Sequence, residues 1–209
     1  MIPVKICGLT RAEDARLAWA AGASALGFVF HPASPRAVTA RRVREIRREL
    51  PPEAFCIGVF VDVEPARINA AAEEAGLDAV QLHGRETPEA CAAVSLPVIK
   101  ALRAEDADRL HDYPAAAFLL DAAHPTLAGG TGLRADWRLA LRIARKCRLI
   151  LAGGLDPRNI LEAARLVGPA GLDVCSGVEA APGLKDPQLL QLLLSRTTKK
   201  GKRPCLLPH

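Results

Sequence analysis

Eight short runs of aliphatic and β-branched residues recur along the 209-residue chain, roughly twenty to thirty residues apart. They are Val4–Cys7, Ala25–Phe30, Cys56–Val61, Ala79–His83, Val98–Leu102, Ala117–Asp121, Leu149–Ala152 and Leu172–Cys175. Each is almost continuously apolar rather than alternating, the pattern of a parallel strand covered on both faces. Parallel neighbours need a crossover between them, and the intervening segments supply helix-start chemistry. Thr10-Arg-Ala-Glu13 matches a capping box, and Thr87-Pro88, Asp156-Pro157 and Asp186-Pro187 set a capping side chain before a proline. Thr39–Leu50 carries Val43, Ile46 and Leu50 on one stripe and five arginines elsewhere, with Arg41 spaced to pair with Glu45; this is a solvated outer helix face. Glu105–Asp112 is short and weakly patterned, so the fifth helix is expected to be degenerate.

Eight strand–helix units in about 200 residues fit a closed (β/α)8 TIM barrel better than an open doubly wound sheet. No G-x-G-x-x-G fingerprint follows any of the runs. The expectation is one α/β barrel domain over residues 1–196, followed by a basic, proline-containing tail over 197–209 that is expected to be disordered.

Composition narrows the function classes. Half of the residues are apolar and only 4% aromatic, which suits an interior of small aliphatic groups. The net charge of +5 invites a nucleic-acid reading, but Lys199, Lys200, Lys202 and Arg203 all lie in the tail. Without these four, the 28 basic residues become 24 against 23 acidic ones, and no nucleic-acid partner is expected of the folded body. The six cysteines (7, 56, 91, 147, 175 and 205) include no C-x-x-C pair, so neither a zinc site nor a disulfide framework is expected. Reduced thiols, no secretory leader pattern and no apolar stretch of about 18 residues lead to the expectation of a cytoplasmic protein without a membrane partner.

Active sites of such barrels form at the carboxyl ends of the strands, which selects few side chains: Cys7-Gly8 after the first run, Gln81-Leu-His83-Gly84 in the fourth, Asp121 ending the sixth, Gly153-Gly154 after the seventh and Asp173-Val-Cys175-Ser176-Gly177 in the eighth. Glycines after strands seven and eight let backbone N–H groups approach an anion, so a phosphate site is expected there. Asp121 ends an apolar run where a carboxylate needs the solvated mouth or donors. His83, beside Gly84, reads as a hydrogen-bonded structural group, and Cys7 by itself as a small buried hydrophobe.

Together, Lys5-Ile-Cys-Gly-Leu-Thr10, Leu26-Gly-Phe-Val-Phe30 with Ser34-Pro-Arg36, Val59-Phe-Val61, Gln81-Leu-His-Gly84, Leu119-Leu-Asp121 with Gly129–Gly132, Ala152-Gly-Gly-Leu155 and Asp173-Val-Cys-Ser-Gly-Val-Glu179 resemble the phosphoribosylanthranilate isomerases of tryptophan biosynthesis, in order, from about residue 3 to about residue 195. The resemblance implies an Amadori rearrangement of a small phosphoribosyl substrate, N-(5-phosphoribosyl)anthranilate, without cofactor or metal, by a monomer or homodimer. It implies Asp121 as general acid and Cys7, as thiolate, as general base. It implies Arg36 on the anthranilate carboxylate, Asp173 on ribose hydroxyls, and Gly153, Gly154, Cys175 and Ser176 around the phosphate, with Gly129–Gly132 in a loop over the site. Cys175 stands where this family usually has serine. The alternatives are another phosphosugar isomerase on the same barrel, such as one of histidine biosynthesis, and a non-catalytic phospho-ligand binder. What lowers the Cys7 pKa stays open, because the pleat alone does not tell which way Lys5 points.

Overall fold

All eight runs form strands that close, in chain order, into one parallel barrel. They are β1 (Val4–Ile6), β2 (Ala25–Val29), β3 (Cys56–Phe60), β4 (Ala79–Leu82), β5 (Val98–Leu102), β6 (Ala117–Asp121), β7 (Leu149–Ala152) and β8 (Gly171–Val174). The barrel closes where β1 pairs with β8 through Val4↔Leu172, Lys5↔Asp173 and Ile6↔Val174. The computed structural model describes residues 1–102, 109–121, 133–197 and 203–207.

The strand pleat divides the side chains between two cores. Ala25, Ile57, Ala79, Ile99, Ala117, Leu119, Ile150 and Ala152 pack together inside the barrel. Their strand neighbours, among them Ile6, Leu26, Phe28, Val80, Leu82, Leu120, Leu151 and Leu172, pack outward with the helices. Small residues recur on the inside because little space remains within eight closed strands.

Outside lie α1 (Ala12–Ala20), α2 (Ala40–Arg47), α3 (Pro65–Ala75), α4 (Pro88–Ala92), α5 (Leu133–Ala144), α6 (Ile160–Val167) and α7 (Pro187–Thr197). Between β5 and β6 the described residues hold one 3-10 turn, Leu110–Asp112; residues 105–108 of the weak fifth segment lie outside the described residues. Thr39 caps α2 by accepting from the Arg42 N–H at 3.2 Å, and Thr87 caps α4 by accepting from Ala90 at 3.3 Å. Asp186 accepts from Gln188 and Leu189 at the start of α7. On α2, Val43 and Ile46 are buried while Arg41 pairs with Glu45 at 3.3 Å in solvent.

Two expectations need correcting. Thr10 is no helix cap: α1 starts after Arg11, and the Thr10 hydroxyl donates to the Gly183 carbonyl at 2.7 Å. Asp156 caps a turn through the Arg158 and Asn159 N–H groups, and α6 begins only at Ile160. A small antiparallel hairpin, β9 (Glu179–Ala181) with β10 (Leu184–Lys185), lies between β8 and α7.

Of the tail, whose disorder was expected, the structure describes residues 203–207. In its described part, Leu206 and Leu207 are buried and join the inner-barrel cluster at the amino ends of the strands. Arg148 donates to the Leu206 carbonyl from Nε and Nη2, at 3.0 and 2.9 Å. The Arg203 guanidinium lies 4.1 Å from the centre of the Trp19 ring. Among the described residues no helix is long and apolar enough to cross a membrane.

Candidate active site

At the opposite, carboxyl end of the barrel, β1 and β8 bring four polar side chains, Lys5, Cys7, Asp173 and Cys175, together. Lys5 and Cys7 are two residues apart, so the pleat turns both inward. Lys5 is fully buried, and its ammonium donates to both Asp173 carboxylate oxygens at 3.0 Å. A Cβ on Gly27 would lie 2.9 Å from both Cys7 Sγ and Lys5 Cε, so that glycine makes room for the two side chains on the adjacent strand. The Cys7 N–H donates to the Val174 carbonyl at 2.8 Å. This extends the β1–β8 ladder by one step, and Cys175 becomes the neighbour of Cys7. Gly8 then turns the chain at φ +73°; a Cβ there would stand 2.5 Å from Arg36 Cδ and 2.8 Å from Cys175 Sγ. Only glycine meets both demands.

These neighbours decide the charge on Cys7. The thiol is brought down to about 7, first by the Cys175 thiol hydrogen-bonding to it; burial opposes this, and the Lys5 ammonium adds to the lowering against the opposing charge of Asp173. Cys175 is pushed the other way, because its proton serves Cys7 and because it is itself buried. Elsewhere burial wins: it pushes Cys147 up to about 11 unopposed, and Cys56 and Cys91 to the same level in spite of the nearby Arg47 and Lys100 charges. Burial also opposes the charge on Lys5, yet Asp173 and Cys7 outweigh it and raise its pKa. The activating groups are therefore one cation and one thiol.

Cys7 opens into a cavity of about 370 Å³ that is also lined by Arg36, Gln81, His83, Asp121, Gly153, Gly154, Asp173, Cys175 and Ser176. Cys7, Asp121, Arg36, Asp173, Gly153, Gly154, Cys175 and Ser176 thus lie on one cavity; Gly129–Gly132 lie outside the described residues. Gly153 and Gly154 both have positive φ, +93° and +62°, and a Cβ on Gly177 would strike the Leu155 carbonyl oxygen. The turns after β7 and β8 are therefore in direct contact, with their glycines at the mouth.

His83 is hydrogen-bonded, as expected. It lines the cavity, with Nδ1 2.8 Å from Gln81 Nε2, and burial lowers its pKa, with the Lys5 charge adding to the effect. With the Gln81 amide donating to Nδ1, the neutral ring carries its proton on Nε2. The other amide atom, Gln81 Oε1, is buried without a hydrogen-bond partner among the described residues.

Arg36 lines the cavity, but one edge of its guanidinium is engaged: Nε and Nη2 donate to the Glu179 carboxylate at 2.9 and 2.6 Å. Glu179 also accepts from Lys185 Nζ at 2.9 Å and from the Gly183 N–H at 3.2 Å. The Nη1 end of the fork lies outside these bonds. Sequence reasoning missed Glu179 and Lys185, whose hairpin has no local signature. Lys5 did leave a signal: a lysine inside an apolar run, on the same face as Cys7. Among the described residues, no group of three or more His, Cys, Asp or Glu side chains could hold a metal ion.

Comparison with known proteins agrees with this geometry. The family model for N-(5'-phosphoribosyl)anthranilate isomerase matches residues 4–196. The N-(5'-phosphoribosyl)anthranilate isomerase of Pelobacter propionicus is 54% identical over 189 residues, which is 89% of this chain and 90% of that protein. The crystal structure of phosphoribosyl anthranilate isomerase from Thermotoga maritima superposes with a TM-score of 0.84 at 42% identity, over 93% of this chain and 98% of that one. A further isomerase structure holds reduced 1-(o-carboxyphenylamino)-1-deoxyribulose 5-phosphate; its TM-score is 0.81 at 40% identity, over 93% and 97% of the two chains.

Proposed function

Because the chain belongs to the phosphoribosylanthranilate isomerase family, we infer that its cavity rearranges N-(5-phosphoribosyl)anthranilate to 1-(2-carboxyphenylamino)-1-deoxyribulose 5-phosphate. The enzyme is an isomerase of tryptophan biosynthesis. We propose that Asp121, as the carboxylic acid, gives its proton to the furanose ring oxygen; the C1–O bond breaks and an open-chain protonated Schiff base forms. The Cys7 thiolate then takes the proton from C2, and that electron pair neutralises the iminium nitrogen to give an enolamine, which tautomerises to the ketone. Each transfer by a positioned group is worth about 10²–10⁴-fold.

The remaining residues bind. In this reading the Nη1 end of Arg36 takes the anthranilate carboxylate, a planar donor meeting a planar acceptor. Backbone N–H groups of Gly153, Gly154, Cys175 and Ser176 receive the phosphate. Asp173 accepts from ribose hydroxyls. The observation that carries the assignment is that Cys7, held at about 7, and Asp121 open into one cavity with the paired glycine turns.

The test follows the loss of phosphoribosylanthranilate fluorescence on mixing with purified protein. Cys7→Ala and Asp121→Asn are each expected to cut kcat by at least about 10²-fold while the circular dichroism spectrum stays unchanged. Turnover at the native rate in either variant refutes the assigned roles.

A further inference from the structure

Resting on the reading that Arg36 takes the anthranilate carboxylate, we propose that Lys185 is a positioning residue for substrate recognition. Its buried ammonium cancels the charge of Glu179, so that Arg36, held in place by that carboxylate, still meets the substrate with a net positive charge.

Arg36 and Glu179 form a side-on pair, Nε donating to Oε1 at 2.9 Å and Nη2 to Oε2 at 2.6 Å. Such a pair fixes the plane of the guanidinium and leaves the opposite edge, Nη1 with the outer Nη2 hydrogen, for a second planar anion. Gly8 keeps the path of the side chain open, because a Cβ there would stand 2.5 Å from Arg36 Cδ. By itself, however, the pair is a poor carboxylate receptor. One guanidinium and one carboxylate cancel, and a second carboxylate at the outer edge is repelled by the first.

Lys185 changes that balance. Its side chain is fully buried, and Nζ donates to Glu179 Oε1 at 2.9 Å and to the Cys175 carbonyl at 3.1 Å. Burial alone would raise the Glu179 carboxyl, but the hydrogen bonds from Arg36 and Lys185 hold it below its usual range. The cluster is therefore one anion between two cations and carries one positive charge. The Cys175 carbonyl needs only a neutral donor, whereas burying an ammonium is expensive; the electrostatic task accounts for the charge. In these buried surroundings that charge acts across Glu179 without touching the substrate. Strand β10 is fixed independently, since the Lys185 backbone N–H donates to Asp14 Oδ2 at 3.2 Å, a contact that side-chain substitutions retain.

The experiment measures KM and kcat for N-(5-phosphoribosyl)anthranilate, and Ki for its carboxylate-free counterpart, N-(5-phosphoribosyl)aniline, as a competitor. Both compounds carry the phosphate, so an effect of Lys185 through the Cys175 turn or through the fold cancels in the ratio KM/Ki. Lys185→Gln keeps a donor for the Cys175 carbonyl and loses the charge. It is expected to raise the ratio about tenfold, with a smaller change in kcat, and Lys185→Met is expected to do the same. Adding Glu179→Gln to Lys185→Gln removes the anion too, returns the cluster to one positive charge and should bring the ratio back to within about threefold of wild type. A ratio that Lys185→Gln leaves unmoved, or a double variant no better than the single, overturns the proposal. Arg36→Met tests the underlying reading separately. If it changes KM and Ki alike, Arg36 does not meet the carboxylate, and the proposal falls with that reading; if it shifts the ratio and Lys185→Gln does not, the reading stands and the proposal alone fails.

Discussion

Cys7 and Lys5 show how two side chains of ordinary type take their ionisation from position. A thiol on which burial alone acts is pushed up, as at Cys147; Cys7 goes down because a donor thiol and a cation face it. The cation has its own cost, since burying Lys5 is tolerable only while Asp173 accepts from it. Lys5→Met therefore strands the Asp173 carboxylate beneath the cavity, and the expected loss is about 3–5 kcal/mol in urea unfolding. The same change removes a positive charge from beside Cys7. The thiolate is the form lost as pH falls through about 7, so removing Lys5 moves that limb of kcat/KM to higher pH and lowers activity at neutrality. Adding Asp173→Leu should recover much of the stability and little of the activity. A double variant as unstable as Lys5→Met would contradict the ion-pair account.

At the scale of elements, the turns after β7 and β8 work as one piece, because Gly177 sits against the Leu155 carbonyl with no space for a methyl group. Gly177→Ala must part the two turns, and overpacking of this kind costs about 1–3 kcal/mol. The backbone N–H groups assigned to the phosphate lie on both turns, so the expected kinetic signature is a rise in KM larger than any fall in kcat. An unchanged KM would mean that the phosphate does not bridge them. Elements of this kind were legible in the sequence to the extent that their causes are local. The apolar runs gave all eight strands, and Thr87 and Asp186 cap helices as their spacing implied. Thr10 misled because α1 starts one residue later, with Arg11 in the cap position, while the Thr10 hydroxyl is anchored to the Gly183 carbonyl, 173 positions away. The Arg36–Glu179 pair spans 143 positions and joins a loop to a hairpin that has no hydrophobic period to announce it. The inward face of Lys5 was likewise fixed only when β1 met β8.

At the scale of the whole molecule the barrel has two ends with different tasks. Residues for chemistry gather at the carboxyl ends of the strands, and Leu206 and Leu207 join the inner core at the amino ends. The basic composition of the tail hid this, because the two leucines that bury are outnumbered by charge. Another residue records the contact: a Cβ on Gly171, the first residue of β8, would stand 2.5 Å from Leu206 Cδ1. Deleting residues 198–209 is expected to lower stability by about 1–3 kcal/mol, the apolar burial being partly offset by the entropy of fixing the segment. Because the cavity lies at the other end, kcat/KM should hold. Gly171→Ala distinguishes specific packing from a general effect of the tail. In the full chain the added methyl group must displace Leu206 and cost stability; in the truncated chain the space is empty, so the same substitution should cost little. Non-additivity between the two changes measures the contact directly. Equal costs for Gly171→Ala in both backgrounds would show that Leu206 does not occupy the space beside Gly171.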